Sequence, residues 1–295
     1  MIIVQIRGGL GNQFFTYALA YALSRKANMP IMLDKQLYQT FYKCRDFELE
    51  QFNIDTQRIL MSRSLGNNKL SFKIYNWIHD FKLKFIYKAS VIEEKCQFEF
   101  QNISVESGKN YYLSEGYWQN YKYFDKYREE IQELFTLKNQ STLREKIEKN
   151  QILTDNTVAV HVRRGDYKTF QGGKCLAVDY YKQAFRCITE KLGDNLKFLV
   201  FTDDVEFCRE NLGFLKNAVY FSDVMQVSDV EEFAIMSMCR HFIIANSTFS
   251  WWAAYLSRQK NKVIIAPVVD FWTKDFYLPE WVTLNTNLEQ DACSE

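Results

Sequence analysis

From residue 158 onward the chain alternates short apolar runs with helical stretches. The runs cover 158–162, 198–201, 219–221, 241–244 and 263–266, and the helical stretches cover 179–192, 206–212, 230–238 and 249–256. Runs that stay apolar at every position, rather than at every second one, mark strands buried on both faces. Strand–helix alternation of this kind builds a parallel sheet with helices on both sides. The opening of the chain repeats the scheme. Residues 2–6 read as a strand, Gly8-Gly9-Leu10-Gly11-Asn12-Gln13 as a loop, 14–27 as a helix stopped by Pro30, and 31–33 as a second strand ending at Asp34. The expected fold class is therefore α/β.

The middle of the chain is less regular. Leu70, Ile74, Trp77, Ile78, Phe81 and Phe85 recur at helical spacing, with Lys69, Lys73, Lys82, Lys84 and Lys88 interleaved and Asp80 the only acid. Residues 111–113 read as a strand, 121–135 and 142–149 as helices, and 150–156 as the connection between two domains, 1–153 and 154–295. A length of 295 residues suits two such domains.

Charge narrows the partners. The chain carries 37 Lys and Arg against 36 Asp and Glu, a net charge of +1. That balance argues against nucleic acid, whose phosphates are met by clustered positive charge. The 7 cysteines (Cys44, Cys96, Cys175, Cys187, Cys208, Cys239 and Cys293) are odd in number and show no CxxC or metal spacing. They read as free buried thiols in a reducing compartment. The first six residues are apolar without a preceding positive charge, which is not a signal peptide. The longest apolar stretch, 242–256, is broken by Asn246, Ser247, Thr248 and Ser250. A soluble, intracellular protein is expected.

Polar residues gather where the expected strands end, the edge at which parallel sheets bind ligands. His161-Val162-Arg163-Arg164-Gly165-Asp166-Tyr167, Thr202-Asp203-Asp204, Ser222-Asp223 and Asn246-Ser247-Thr248-Phe249-Ser250 all occupy such positions. Two adjacent arginines leaving a buried strand either form a phosphate clamp or pair with nearby carboxylates such as Asp166. Asp203 and Asp204 can cap the next helix, bind a divalent metal or accept two hydrogen bonds from a guanine; no further ligand stands at metal spacing. Asn246 to Ser250 can cap a helix or, from its N-terminus, meet an anion. The glycines near the start let backbone approach a ligand closely, without the full GxGxxG fingerprint. His79 and His241 read as structural.

Taken in order, Gly8-Gly9-Leu10-Gly11-Asn12-Gln13, Tyr117-Trp118-Gln119, His161 to Tyr167, Phe201-Thr202-Asp203-Asp204 and Asn246-Ser247-Thr248-Phe249-Ser250-Trp251-Trp252 resemble glycosyltransferase family 11, the galactoside α-1,2-fucosyltransferases, in its short bacterial form. The resemblance implies a GT-B-like fold: two Rossmann-like domains whose parallel sheets face a central cleft, the first on the acceptor side, the second holding GDP-fucose. It implies GDP-β-L-fucose as donor, inversion at the transferred carbon, no metal and no other cofactor. The acceptor it implies is the 2-hydroxyl of a terminal β-galactose on a surface polysaccharide or O-antigen-type glycan. Animal Golgi members carry an N-terminal anchor, so a chain opening like this one is expected to be a cytoplasmic, bacterial-type enzyme. Two other readings stand beside it: a catalytically silent nucleotide-sugar or glycan-binding module, and a related transferase using another GDP-sugar or a protein acceptor.

The resemblance also distributes roles. Arg163, Asn12 and Asp166 are the expected catalytic residues, with Arg163 on the donor β-phosphate. Donor binding falls to His161 and Asp203 at the guanine, Ser247, Thr248 and Ser250 at the phosphates and Gly9 and Gly11 beside the sugar, with Asp204, Asn246 and Phe249 also in the donor site and Arg164 there to order the loop or the carboxylates beside it. Asp34, Glu115, Tyr117 and Trp118 are expected on the acceptor side. Asp34, Glu115 and Asp166 each follow a strand and are candidates for the base that takes the acceptor proton. Bacterial members often act on lipid-linked oligosaccharides. A lipid-linked acceptor and peripheral contact with the inner face of the membrane through 69–88 are thus expectations, against the plainer reading of 69–88 as a solvated helix face.

Overall fold

The computed structural model describes residues 1–40, 45–61, 69–168, 174–270, 272 and 276–290. The chain divides into two compact units, Met1–Lys138 and Asn139–Glu295. Each is α/β with a parallel sheet, which is what a GT-B-like reading requires of each half.

The first unit runs β1 (Ile2–Gln5), α1 (Leu10–Ala27), β2 (Ile31–Asp34), α2 (Gln36–Thr40), α3 (Lys69–Phe81), β3 (Ser90–Glu93), β4 (Tyr111–Ser114) and α4 (Arg128–Leu134). The sheet order is β2-β1-β4-β3, with every pair parallel. β1 and β4 are almost wholly apolar and buried, as strands covered on both faces must be. Helix α1 is rich in Ala and Leu, good helix formers. It packs Phe14 face to face with Phe135 at 4.2 Å and edge-on to Phe52 at 4.9 Å.

Three expectations for this unit change. Helix α1 starts at Leu10 with Gly9 as its N-cap, so Gly11, Asn12 and Gln13 belong to its first turn rather than to a loop. It ends at Asn28, which adopts the left-handed conformation at φ 51°, two residues before Pro30. The expected helix over 121–135 is broken into two 3₁₀ turns followed by α4, because Phe124 leaves the helical region at φ −131° to bury its ring. Strand β3, Ser90–Glu93, is an edge strand with three of its four residues exposed, and Val91 and Ile92 alone are too short an apolar run to mark it.

The second unit runs α5 (Gln140–Lys149), β5 (Thr157–Val162), β6 (Lys174–Leu176), α6 (Val178–Leu192), β7 (Lys197–Thr202), α7 (Val205–Asn211), β8 (Ala218–Tyr220), α8 (Phe221–Val224), α9 (Asp229–Met238), β9 (His241–Ile243), α10 (Thr248–Leu256), β10 (Ile264–Val268), β11 (Val282–Asn285) and β12 (Leu288–Gln290). Six strands form a parallel sheet in the order β11-β10-β9-β5-β7-β8, while β6 and β12 pair antiparallel beside it. Every residue of β5 is buried. Ser222 and Asp223 fall in the short helix α8, where Asp223 pairs with Arg209 at 2.5 Å.

Strand order locates the ligand-binding edges. In the second sheet the chain proceeds from β5 outward through β7 to β8, then returns to lay β9, β10 and β11 on the other side. The crevice lies at the carboxyl ends of β5 and β9, where the winding reverses. In the first sheet the reversal falls between β1 and β4 by the same logic.

The cysteines divide. Cys175, Cys208 and Cys239 are buried free thiols as expected, Cys187 is half-buried, and Cys96 is exposed, contrary to expectation. Cys44 and Cys293 lie outside the described residues. No described helix is long and apolar enough to cross a membrane.

Candidate functional site

At the reversal point of the second unit the sequence delivers alternating charges from two strand ends. Arg163 leaves β5 and stands between two carboxylates. Its Nη1 lies 2.9 Å from Asp203 Oδ2, and its Nε and Nη2 lie 3.0 and 2.9 Å from Asp166 Oδ1. A guanidinium has five N–H donors. These contacts use three, and a two-oxygen group such as a phosphate can take the others.

Arg164 turns the other way and is buried. Its backbone N–H donates to Asp203 Oδ1 at 2.8 Å, its Nε lies 3.3 Å from Asp204 Oδ2, and its guanidinium sits 3.4 Å from the Phe207 ring centre. Asp204 also receives Lys168 at 2.7 Å and caps α7 by accepting the Phe207 N–H. Burial alone opposes ionisation of Asp204, but Lys168 and that N–H outweigh it and hold the carboxyl below its usual range. Arg164 is thus a framework residue, and Arg163 is the more open of the pair. Gly165 is required by close approach: a Cβ there would stand 2.7 Å from Asp203 Oδ2.

The other wall of the crevice comes from β9 and α10. Tyr167 ties the two together, donating its hydroxyl to the Asn246 carbonyl at 2.9 Å. Ser247 caps α10 by accepting the Phe249 N–H, and Ser250 turns back to the Ser247 carbonyl. Thr248 and Phe249 form the first turn of α10, whose free N–H groups favour an anion. Phe249 lies 5.8 Å from the His161 ring. Burial, with a smaller push from Arg163, lowers His161 to about 3, so the imidazole is neutral at physiological pH. Its Nδ1 and both amide atoms of the wholly buried Asn246 have no hydrogen-bond partner among the described residues. Buried polar atoms of this kind are paired in most folded proteins.

Glu232, on α9, is a residue the sequence pattern did not single out. Burial first, then Asp229 and Asp203, push its carboxyl up to about 7 despite the nearby Arg163. The only local hint was the capping box Ser228/Glu231, which starts α9 one residue earlier.

In the first unit the reversal point gathers Gly9, Gly11 and Asn12 with the segment after β4. Asn12 Oδ1 accepts from Gln119 Nε2 at 2.7 Å. Gly8 takes φ +73°, and its carbonyl accepts from both Gln13 Nε2 and Tyr38. Glu115 and Trp118 hold positive φ, at 30° and 55°, conformations that non-glycine residues rarely adopt and that concentrate at functional sites. Glu94, unmarked in the sequence, holds this turn by accepting the N–H groups of Tyr117 and Trp118, each at 3.0 Å. Burial raises its carboxyl, and those N–H bonds pull back against it. Arg7 lies 5.6 Å over the half-buried Tyr117 ring.

Two expected acceptor residues are enclosed. Trp118 is 1% exposed and packs edge-on to Tyr123, leaving no open face for a sugar in this structure. Asp34 is fully buried and accepts from Tyr112 at 2.8 Å and from the Gln36 N–H at 3.0 Å; it also contacts His79 Nε2 at 2.9 Å. His79 and His241 are both buried, and His241 Nδ1 accepts the Val263 N–H. Among the described residues no three acid, histidine or cysteine side chains group as metal ligands.

Comparison with known proteins identifies the family. Over 292 residues the chain is 33% identical to the O-antigen biosynthesis glycosyltransferase WbnK of Escherichia coli, covering 89% of this chain and 92% of that one. Over 280 residues it is 33% identical to an α-1,2-colitosyltransferase of Escherichia coli, covering 90% and 91%. The galactoside 2-α-L-fucosyltransferase SEC1 of Bos taurus is 25% identical over 306 residues, with 97% and 74% covered. The model of glycosyl transferase family 11 matches residues 1–285, a span that includes both crevices and the arginine held between two carboxylates. This chain is a glycosyltransferase and belongs to glycosyl transferase family 11.

Proposed function

We propose that the protein transfers L-fucose from GDP-β-L-fucose to the 2-hydroxyl of a terminal β-galactose, with inversion and without a metal. The observation that carries this reading is Arg163, poised at the carboxyl ends of β5 and β7 in a family 11 chain. As the bond from the sugar to GDP breaks, negative charge grows on the β-phosphate. A fixed guanidinium aimed at that oxygen stabilises the charge as it develops. Asp166 and Asp203 hold the guanidinium in place, and α10 offers its N-terminal N–H groups to the same diphosphate. Neutral His161 and buried Asn246 supply unpaired donors and acceptors for the nucleotide.

Metal independence is supported by the engagement of the carboxylates. Asp203 and Asp166 face Arg163, and Asp204 faces Arg164 and Lys168. In this reading the open N–H groups of Arg163 and the N-terminus of α10 meet the diphosphate in a metal's place. Inversion needs only one displacement at the anomeric carbon, assisted by leaving-group stabilisation.

A second donor is favoured by one observation, the 33% identity to an α-1,2-colitosyltransferase. Colitose is fucose without its 3-hydroxyl, so the same diphosphate machinery serves both. The test is a reaction with lactose as acceptor in the presence of EDTA, offered GDP-fucose or GDP-colitose, with the product linkage and anomeric configuration read by NMR. An α-1,2-linked fucoside supports the proposal. Product from GDP-colitose alone transfers it to the second donor. A β-linked product, or loss of turnover in EDTA, contradicts it.

A further inference from the structure

Helix α3 and the π-helical turn after it, Lys82–Ile86, carry an apolar face outward. At about 100° per residue, Leu70, Ile74, Trp77 and Phe81 fall within a sector of about 60°. They are 68%, 46%, 67% and 42% exposed. The opposite side carries Tyr75 and His79, both buried, with His79 bonded to Asp34 at the end of β2. The helix is thus fastened to its sheet through a polar pair and shows its apolar stripe to solvent, the reverse of an ordinary surface helix. Phe85 continues the stripe through Phe81, and Ile86 and Val91, further along the chain, are like it more than half exposed.

The stripe has a definite chemistry. Trp77, Phe81 and Phe85 stand in file with ring centres 5.6 and 5.1 Å apart. Exposed Lys73, Lys84 and Lys88 belong to the same segment, and Lys84 Nζ lies 5.5 Å from the Phe85 ring. Lys82 is turned inward to the Leu60 carbonyl. The exposed acids here are Asp80, which faces His79, and Glu93. Apolar patches of this extent mark interaction surfaces. Aromatic rings with flanking lysines match the boundary between acyl chains and acidic headgroups, where lysine stems lie along apolar matter and their ammonium groups reach anions. Symmetric pairing with a second copy would instead bring the lysines of one molecule toward those of the other.

We propose that this outward face of residues 70–91 seats the protein on an anionic lipid bilayer, with Trp77, Phe81 and Phe85 in the headgroup–acyl boundary and Lys73, Lys84 and Lys88 on the headgroups. The test is co-sedimentation of the full chain with vesicles of phosphatidylcholine alone or containing about one-third phosphatidylglycerol, at low and high salt. The expected result is binding to the anionic vesicles that weakens with salt. The triple change Lys73→Glu, Lys84→Glu and Lys88→Glu should cost about a hundredfold in vesicle affinity. Trp77→Ser with Phe85→Ser should cost at least about tenfold, and both variants should bind GDP as the parent does. No binding to anionic vesicles overturns the proposal, as does binding that neither variant diminishes. So does self-association by sedimentation equilibrium that the Trp77/Phe85 variant abolishes without any vesicle binding.

Discussion

At the scale of single residues the site depends on how charges are held. Arg163 is gripped by Asp166 and Asp203 before any phosphate arrives, so its position costs little to establish during reaction. Arg163→Ala should lower kcat by about a hundredfold to a thousandfold, by the scale of a lost preorganised donor. Gly165→Ala is predicted to weaken GDP binding by about tenfold, because the new methyl displaces the Asp203 carboxylate from the Arg164 N–H. Unchanged GDP affinity by calorimetry would mean that Asp203 is not needed in that position. Glu232 gives a signed pH effect. Its folded carboxyl titrates near 7 against 4.5 for the ordinary group, so the unfolded chain releases the proton first. Stability is then lost as pH rises from 4.5 toward 7. Glu232→Gln should raise stability by about 3 kcal/mol at pH 8 and leave it unchanged at pH 4, as read by urea unfolding.

At the scale of elements, what the sequence disclosed depended on how each element is buried. Strands β5, β7, β9 and β10 were legible because a strand covered on both faces is apolar throughout. Strand β3 was not, since an exposed edge has no such mark. The break at Phe124 was invisible because its ring turns inward to contacts distant in sequence, among them Phe15 at 5.9 Å. The charged motifs at the ends of β5, β7 and β9 could be read directly, as could their shared edge. Glu94 and Glu232 could not, and Tyr167 was legible as part of the β5 motif while its bond to Asn246 was not, because each acquires its role from a partner brought near only by folding. Asp34 was legible as a strand-end carboxylate, but its enclosure by Tyr112 and His79 was not. That enclosure makes a prediction about α3. Burial pulls the His79 imidazole down, yet the hydrogen bond and charge of Asp34 outweigh it and hold the ring above its ordinary value. The stabilisation from this pair is complete below about pH 6.5 and is lost as pH rises through the folded value. His79→Ala should cost about 3 kcal/mol at pH 6 by removing one partner of a buried pair, and less at alkaline pH.

At the scale of the whole molecule, two parallel sheets each reverse their winding once, and the motifs at residues 8–13, 161–167, 202–204 and 246–250 lie at or beside one reversal or the other. The family match spans both. The chemistry divides accordingly: the second unit holds the arginine, the helix end and the buried polar atoms, unpaired among the described residues, that suit a nucleotide diphosphate. The first unit holds the strained turn at Glu115 and Trp118, braced by Glu94 and by the Asn12–Gln119 bond. The most direct test of this division is GDP release from GDP-fucose in EDTA, with and without lactose, for the parent chain and for Arg163→Ala. Acceptor-dependent release by the parent chain and a loss of about a hundredfold or more in the variant are expected. Equal release by the two, or release by the parent only when a divalent metal is restored, would contradict this division.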